Sequence, residues 1–542
     1  MLSGRTYEEV CNNFGWEIPE YYNIGVDVCD KWADDKHRLA LIYIDANGTA
    51  HEYTYRALKH ISNQLANALK AYNIKRTDRV GILLSQRPET LISHIATYKL
   101  GAIALQLLTL FGPDAIEYRL QDSQAKAVIT DKENVPKLHE VRDRLPELKL
   151  IIVVDAGKEK DTIDFWEAVE RGSRYFTPVK TRPEDPALII YTSGTTGQPK
   201  GTLHGHRLLP GILPGFEFYH NLFPRKGDLM WTPLDWAYIG GSYDALFPTL
   251  HHGYPMLAYR PRKFDPEEAF YMMAKHRVRN LMAVPTVLRM MMHAVKRPRE
   301  HYDIRLRSIT AGGETLGEEL CDWTREHLGV EINEQYGQTE CDLVLGFCSE
   351  VMDIVPGAIG KAVPGHVVEI IDKNGLIAKR NELGEIAIKA PDPVMFLEYW
   401  RNSQATKEKF IGNWMRTGDY GRKDENGYFW FSGRQDDIIE SGGFRIGPGE
   451  VEDCLMKHQA VALVGVIGVS DPIRGEIVKA YVLPKEGVTP DKALEESIKE
   501  HVKNRLEAHA YPREVAFLDE MPRTSTGKIL RNELRRMHEK GF

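Results

Sequence analysis

Residues 79–105, RVGILLSQRPETLISHIATYKLGAIAL, decide the fold. RVGILLS (79–85) is a short, nearly uninterrupted apolar run, the pattern of a strand buried on both faces. PETLISHIATYKLGAIAL (88–105) then reads as a helix, with Pro88 tolerated in a first turn where its missing N–H has no helical partner to lose. Upstream, LALIYID (39–45) reads as a strand. TYRALKHISNQLANALKAYNI (54–74) reads as a helix opened by Thr54, with apolar residues at helical spacing. Downstream, AKAVITD (125–131) and LKLIIVVD (148–155) are further buried strands, and this βαβα rhythm predicts a mostly parallel sheet covered by helices on both faces. The rhythm returns in EEAFYMMAKHRVRNLMAVP (267–285) and LRSITAGGE (306–314). From about 355 to 432 the texture changes to short strands and Gly, Pro and Asn turns, as in GKAVPGHVVEIID (360–372), GEIAIKA (384–390) and DENGYFWFSGR (424–434). Beyond Asp436 follow EVEDCLMKHQAV (helix), ALVGVIGVS and VKAYVLP (strands), LEESIKEHVKNRLEAH (helix) and REVAFLDEMP (strand). The expected class is α/β: a large N-terminal domain (1–435) of layered, mostly parallel sheets with helices and a β-rich subdomain, then a small, mobile α+β C-terminal domain (436–542).

Composition narrows the function. The 542 residues are 42% hydrophobic and 27% charged, which is ample for large cores and excludes a disordered or coiled-coil chain. Lys and Arg number 70 against 77 Asp and Glu, a net charge of −7, so nothing global draws the chain to nucleic acid or anionic lipid. The 6 cysteines form no CxxC pair, which points to free thiols in a reducing compartment. No apolar run approaches the ~18 residues of a membrane span. The N-terminal MLSGRTYEEVCNNFGWEIPEYY lacks the apolar core of a signal peptide, and the expectation is a soluble cytoplasmic protein.

The segment Tyr191-Thr-Ser-Gly-Thr-Thr-Gly-Gln-Pro-Lys-Gly201 carries the sharpest chemistry. Hydroxyls and glycines supply donors and let the backbone wrap closely around an anion, and Lys200 adds a mobile charge, as a polyphosphate requires. It is not a Walker loop, because Lys200 stands between Pro199 and Gly201 with no Gly-Lys-Ser/Thr opening a helix.

TSGTTGQPKG resembles the phosphate loop of the adenylate-forming superfamily: acyl-CoA synthetases, peptide-synthetase adenylation domains and luciferases. Further segments match in family order. AGGE (311–314) and NEQYGQTE (333–340) resemble the adenine-binding turns, and RTGD (416–419) the ribose-binding segment. GRQDDIIESGGFRIGPGEVE (433–452) resembles the hinge block, and PRTSTGKILR (522–531) carries the family's C-terminal lysine. The similarity spans nearly the whole chain and is nearest to short- and medium-chain acyl-CoA synthetases, through IGPGEVE, RGEIVKA and AYPRE.

The resemblance implies a set of roles. Thr192, Ser193, Gly194, Thr195, Thr196, Gly197 and Lys200 would cradle the ATP phosphates. Gly312, Gly313, Glu314, Glu334, Gln335, Tyr336, Gly337, Gln338 and Thr339 would surround the adenine and α-phosphate. Asp419 would accept from the ribose hydroxyls, with Arg434 and Arg445 beside the nucleotide. Glu340, with Thr196, would hold Mg²⁺ through hard oxygen donors. Lys528 would neutralise charge developing between the attacking carboxylate and the α-phosphate, in the adenylation half-reaction only. Asp436 would be the hinge about which the C-terminal domain rotates between two poses.

For coenzyme A, Gly442, Gly443 and Phe444 would line the pantetheine arm, with Arg474, Lys503, Tyr511, Pro512 and Arg513 near the nucleotide phosphates. The run EAHAYPR departs from the proline-tyrosine-lysine run that relatives commonly carry there. Trp236, Tyr238, Gly240 and Gly337 would line the acyl pocket. Acetate-specific relatives typically have tryptophan at the position of Gly337, so glycine implies room for more than an acetyl group. His204 and His206 read as structural or pocket-adjacent. The expected partners are a small carboxylic acid, ATP and CoA, with a homo-oligomer and a lysine acyltransferase or deacylase acting on Lys528 left open. Two other readings stay open: an enzyme handing its acyl group to a carrier protein, and a catalytically silent nucleotide-binding protein.

Overall fold

The computed structural model describes all residues except 156–159, 193–198, 260, 262, 314–315, 435–436, 438, 442–443, 472–474, 506–509, 524–528 and 542. By contacts, the described chain groups into two units: 1–354, 362–366 and 390–409 form the first, and 355–361, 367–389 and 410–542 the second.

The first unit is built on two sheets. In one, Ile163–Asp164, Leu150–Val154, Ala127–Asp131, Arg79–Leu83, Ile103–Gln106 and Pro186–Thr192 lie side by side in parallel. Lys200–Gly205 and then Glu398–Tyr399 add antiparallel at the far edge. In the other, Leu39–Ile44, Met256–Ala258, Met230–Trp231, Asn280–Met282, Ser308–Gly312 and Ile332–Gln338 are parallel neighbours. Ala50–Thr54 adds antiparallel beside Leu39–Ile44, and Asp342–Gly346 antiparallel beside Ile332–Gln338.

The helix from Tyr55 to Ala71 starts where its sequence predicts, because the Thr54 hydroxyl accepts from the Ala57 N–H. The span 88–105 is not one helix: the helix is Pro88–Lys99, Gly101 takes φ +68°, and the chain re-enters the sheet at Ile103. Helix formers past Gly101 give way to that left-handed turn and to the strand pairing it allows. The segment Ile239–His251 is helical throughout, with a π turn at Ser242–Leu246. None of the cysteines is in a disulfide. No helix among the described residues is long and apolar enough to cross a membrane.

The second unit holds an antiparallel sheet of Val368–Ile371, Gly384–Lys389, Trp414–Lys423 and Phe410–Ile411, with Phe429–Arg434 also paired to Trp414–Lys423. Its other sheet centres on the hairpin Val461–Asp471/Gly475–Pro484, flanked by Ile439–Ser441 and by the parallel strand Glu514–Phe517. Val451 and Leu455 of helix Pro448–Met456, and Ile498 and Val502 of helix Lys492–Arg505, bury against one group of sheet residues; Leu534 of helix Arg531–Glu539 buries in a separate cluster with Ile467 and Tyr481.

Candidate active site

The polyphosphate-loop sequence joins the antiparallel strands Pro186–Thr192 and Lys200–Gly205, whose pairing ends at Thr192↔Lys200. Ser193, Gly194, Thr195, Thr196 and Gly197 lie outside the described residues. The strand ends that hold them are fixed. Tyr191 Oη donates to Asp122 Oδ2 at 2.5 Å, and Tyr118 Oη donates to the Pro199 carbonyl at 2.9 Å. Burial and the Asp122 carboxylate push the Tyr191 phenol well up, so it stays a donor.

The NEQYGQTE segment forms strand Ile332–Gln338 and turns back as Asp342–Gly346. Gln335 is buried and its Oε1 accepts from Thr310 Oγ1 at 3.1 Å, which leaves Tyr336, Gly337, Gln338 and Thr339 as the more open part of the hairpin. Gln338 Oε1 accepts from Lys409 Nζ at 3.4 Å. Gly312 pairs with Gln335, Gly313 follows at φ +85°, Glu334 is partly buried, and Glu314 lies outside the described residues.

Gly337 has a backbone reason to be glycine. A Cβ built there would sit 1.6 Å from the Asp342 carbonyl oxygen. The close backbone approach at the hairpin's bulge, Tyr336/Gly337, leaves no room there for a side chain.

Glu340 is buried at the hairpin's tip, where its carbonyl accepts from Phe396 N–H at 2.8 Å and its Oε1 accepts a short hydrogen bond from Tyr399 Oη. Lys200 Nζ lies 5.3 Å from the centre of the Tyr399 ring. Desolvation first, and the Glu340 charge next, push the Tyr399 phenol well above its ordinary value. A hard carboxylate on the same tyrosine as the Lys200 ammonium fits Mg²⁺, which binds through one or two carboxylates plus substrate phosphates rather than in an all-protein cage. No cluster of three or more His, Cys, Asp or Glu able to hold a metal occurs among the described residues.

Of the residues expected at the acyl pocket, Trp236 is fully buried and its carbonyl accepts from Gln106 Nε2 at 3.2 Å; Tyr238 and Gly240 are partly exposed. A Cβ at Gly240 would lie 3.1 Å from Met282 Cε and 3.6 Å from Asp244 Oδ2. Asp244, on the π turn, and Asp342 are both buried and hydrogen-bond through their carboxyls. Burial pushes Asp244 up to about 6, and burial reinforced by the Asp244 charge holds Asp342 well above the ordinary carboxyl value. Two such carboxyls share a proton. His204 and His206 are fully buried, which drives both imidazoles down to about 3 and keeps them neutral. His206 Nδ1 accepts from Ile24 N–H at 3.2 Å.

In the second unit, Asp419 and Arg434 are cross-strand partners, with Arg434 Nε 3.2 Å from Asp419 Oδ1. Sequence reasoning missed what shapes this turn: Glu385 accepts from Gly418 N–H at 2.8 Å through Oε1 and from Arg416 Nε at 2.8 Å through Oε2. Glu385 stands 33 positions from Gly418, so the clamp shows only once the chain is folded. Tyr511 carries the Arg513 guanidinium 4.2 Å from its ring centre and Lys503 Nζ at 5.8 Å, so three residues assigned to CoA share one surface; Pro512 between them is buried. Arg474, Asp436, Gly442, Gly443 and Lys528 lie outside the described residues. Phe444 and Arg445 contribute backbone to strand Phe444–Ile446.

A model of the AMP-binding enzymes matches residues 29–400, and a model of their C-terminal domain matches residues 450–528. The chain belongs to the AMP-binding enzyme family. Within it, the chain is similar to the acetyl-coenzyme A synthetase of Bacillus subtilis, 34% identical across 98% of this chain and 95% of the relative. Similar too is the mitochondrial acyl-coenzyme A synthetase ACSM3 of Rattus norvegicus, 33% identical across 98% and 93%. Among solved structures, an anthranilate CoA ligase in complex with anthranoyl-AMP matches with TM-score 0.86 at 28% identity, over 97% of this chain and 98% of that one. A Brucella canis acyl-CoA synthetase matches with TM-score 0.77 at 32% identity, over 99% of both. These relatives place this AMP-binding enzyme in the acyl-CoA synthetase branch, with the expected α/β architecture.

Proposed function

We propose that this acid–thiol ligase, an AMP-forming acyl-CoA synthetase, activates a short- to medium-chain carboxylic acid, with branched, hydroxylated and cyclic acids in its range. The observation that carries the reading is the union of Glu340, Tyr399 and Lys200 at the base of the phosphate-loop sequence. That union gathers a hard carboxylate and an ammonium where MgATP needs both. Mg²⁺, when bound with ATP, offsets phosphate charge.

In the first step the acid's carboxylate oxygen attacks the α-phosphorus, the bond to the β-phosphate oxygen breaks, and diphosphate leaves. Lys528 serves this step. In the second, the CoA thiol loses its proton and attacks the acyl carbon, and AMP departs with the bonding electron pair. Asp436 would be the hinge that exchanges the two arrangements. Gly442, Gly443 and Phe444 would follow the pantetheine arm, and Arg474, Lys503, Tyr511 and Arg513 the nucleotide end. The stacking of Lys503 and Arg513 on Tyr511 supports that assignment, because it concentrates cations on one surface suited to phosphates. The protein's contribution is positioning and charge stabilisation, since the substrates supply both nucleophiles.

The test is acid-dependent diphosphate release with MgATP, from acetate to decanoate and across branched, hydroxylated and aromatic acids, with and without CoA. Turnover requiring an acid and CoA together supports the reading and names the acid. Diphosphate release indifferent to CoA would assign another acceptor, and silence with every acid would overturn the reading.

A further inference from the structure

Tyr399 is anchored through its strand and its ring. Its strand pairs with Lys200–Gly205 at Tyr399↔Thr202. The Tyr399 N–H donates to Thr406 Oγ1 at 2.9 Å, and the neighbouring Leu397 and Trp400 N–H groups donate to the Leu203 and Gly201 carbonyls at 2.7 and 2.6 Å. The ring also packs against Phe396, centroids 4.9 Å apart. A phenol pinned in this way has one direction in which to point, and it points at Glu340 Oε1. The ring's face meanwhile carries the Lys200 ammonium at 5.3 Å. One tyrosine therefore engages an anion at its hydroxyl and a cation over its face, and among the described residues Glu340 and Lys200 form no ion pair with each other.

That separation is chemically useful. A Glu340–Lys200 pair would satisfy both groups and withdraw both from a cation–polyphosphate complex. We propose that Tyr399 is a positioning residue: its hydroxyl occupies one oxygen of Glu340 and turns the other toward the cation of the bound nucleotide, while its ring keeps Lys200 for phosphate. The inference rests on the reading of Glu340 as the residue that meets that cation. Groups that orient a metal's ligand typically alter metal affinity or activity 10–100-fold when removed.

The experiment compares wild type, Tyr399→Phe and Glu340→Gln as full-length protein. The Phe variant keeps the ring and removes only the hydroxyl. Mn²⁺ binding to the complex with α,β-methylene-ATP is followed by the loss of the free-ion electron paramagnetic resonance signal, and AMP affinity is measured separately in EDTA. The expected result is Mn²⁺ binding weakened at least tenfold in Tyr399→Phe, with AMP affinity in EDTA within twofold of wild type. If Glu340→Gln weakens Mn²⁺ binding and Tyr399→Phe does not, the positioning role is overturned while Glu340 keeps its own. If Glu340→Gln binds Mn²⁺ as wild type does, the reading of Glu340 itself falls. If AMP and Mn²⁺ binding decline together in Tyr399→Phe, the phenol is merely structural and the proposal is refuted.

Discussion

Replacing Asp342 by Asn should stabilise the protein increasingly as pH rises. Asp342 and Asp244 are buried against each other, and the native fold holds them protonated to higher pH than the ordinary value of 3.8. Between about pH 4 and the native pKa values the folded state binds more protons than the unfolded chain. Stability therefore falls as pH rises through that window. Within that window each retained proton lowers stability by about 1.4 kcal/mol per pH unit. The Asn amide donates to Asp244 in place of the acid's O–H and has no proton to lose. The backbone tolerates it as well, because position 342 has φ +45°, a conformation Asn adopts more readily than most residues. Matched thermal scans of wild type and Asp342→Asn at pH 5, 6, 7 and 8 should give melting temperatures that diverge with pH, the variant higher by several degrees at pH 8. Parallel pH profiles would refute the shared proton.

Gly337→Ala should cost about 3 kcal/mol or more, because its Cβ would meet the Asp342 carbonyl; a wild-type melting temperature with a changed acid preference would favour the pocket-floor reading. Glu385→Ala should raise KM for ATP about tenfold through loss of the two bonds that shape the Asp419 turn, with KM for CoA unchanged. Tyr511→Ala should raise KM for CoA about tenfold and leave acid-dependent ATP–diphosphate exchange intact; equal loss of both would move Tyr511 out of the CoA site. Lys528→Ala should lower adenylation by about 100-fold or more while sparing thioester formation from supplied acyl-adenylate.

The parallel sheets were legible because strands covered on both faces carry unbroken apolar runs, as Leu150–Val154 does. Helix Leu208–Tyr219 and the helical stretch Ile239–His251 were not, because burial on nearly every side erases the amphipathic period that marks a surface helix. The Asp419–Arg434 partnership was readable, since both ends carry local motifs. Tyr399 and Glu385 were invisible because each acts on a residue far along the chain, 59 positions away for Glu340 and 33 for Gly418, and nothing local marks a tyrosine or a glutamate as a clamp. The steric need at Gly337 was hidden for a different reason. A missing side chain looks the same in sequence whether it leaves space for substrate or lets two backbones touch.

The antiparallel pairing of Pro186–Thr192 with Lys200–Gly205 has a consequence for product release. Many phosphate-binding loops run straight into a helix, whose aligned peptide dipoles supply a permanent positive end. Here the loop runs from strand to strand, and the next helix, Leu208–Tyr219, begins only past the far end of the second strand. On the proposed reading, full positive charge for the polyanion would come from side chains such as Lys200, at the end of a flexible stem. A field built into the backbone cannot be switched off, whereas a side-chain charge can be moved aside. On the proposed reading, diphosphate would leave a site whose grip can be loosened by moving a side chain.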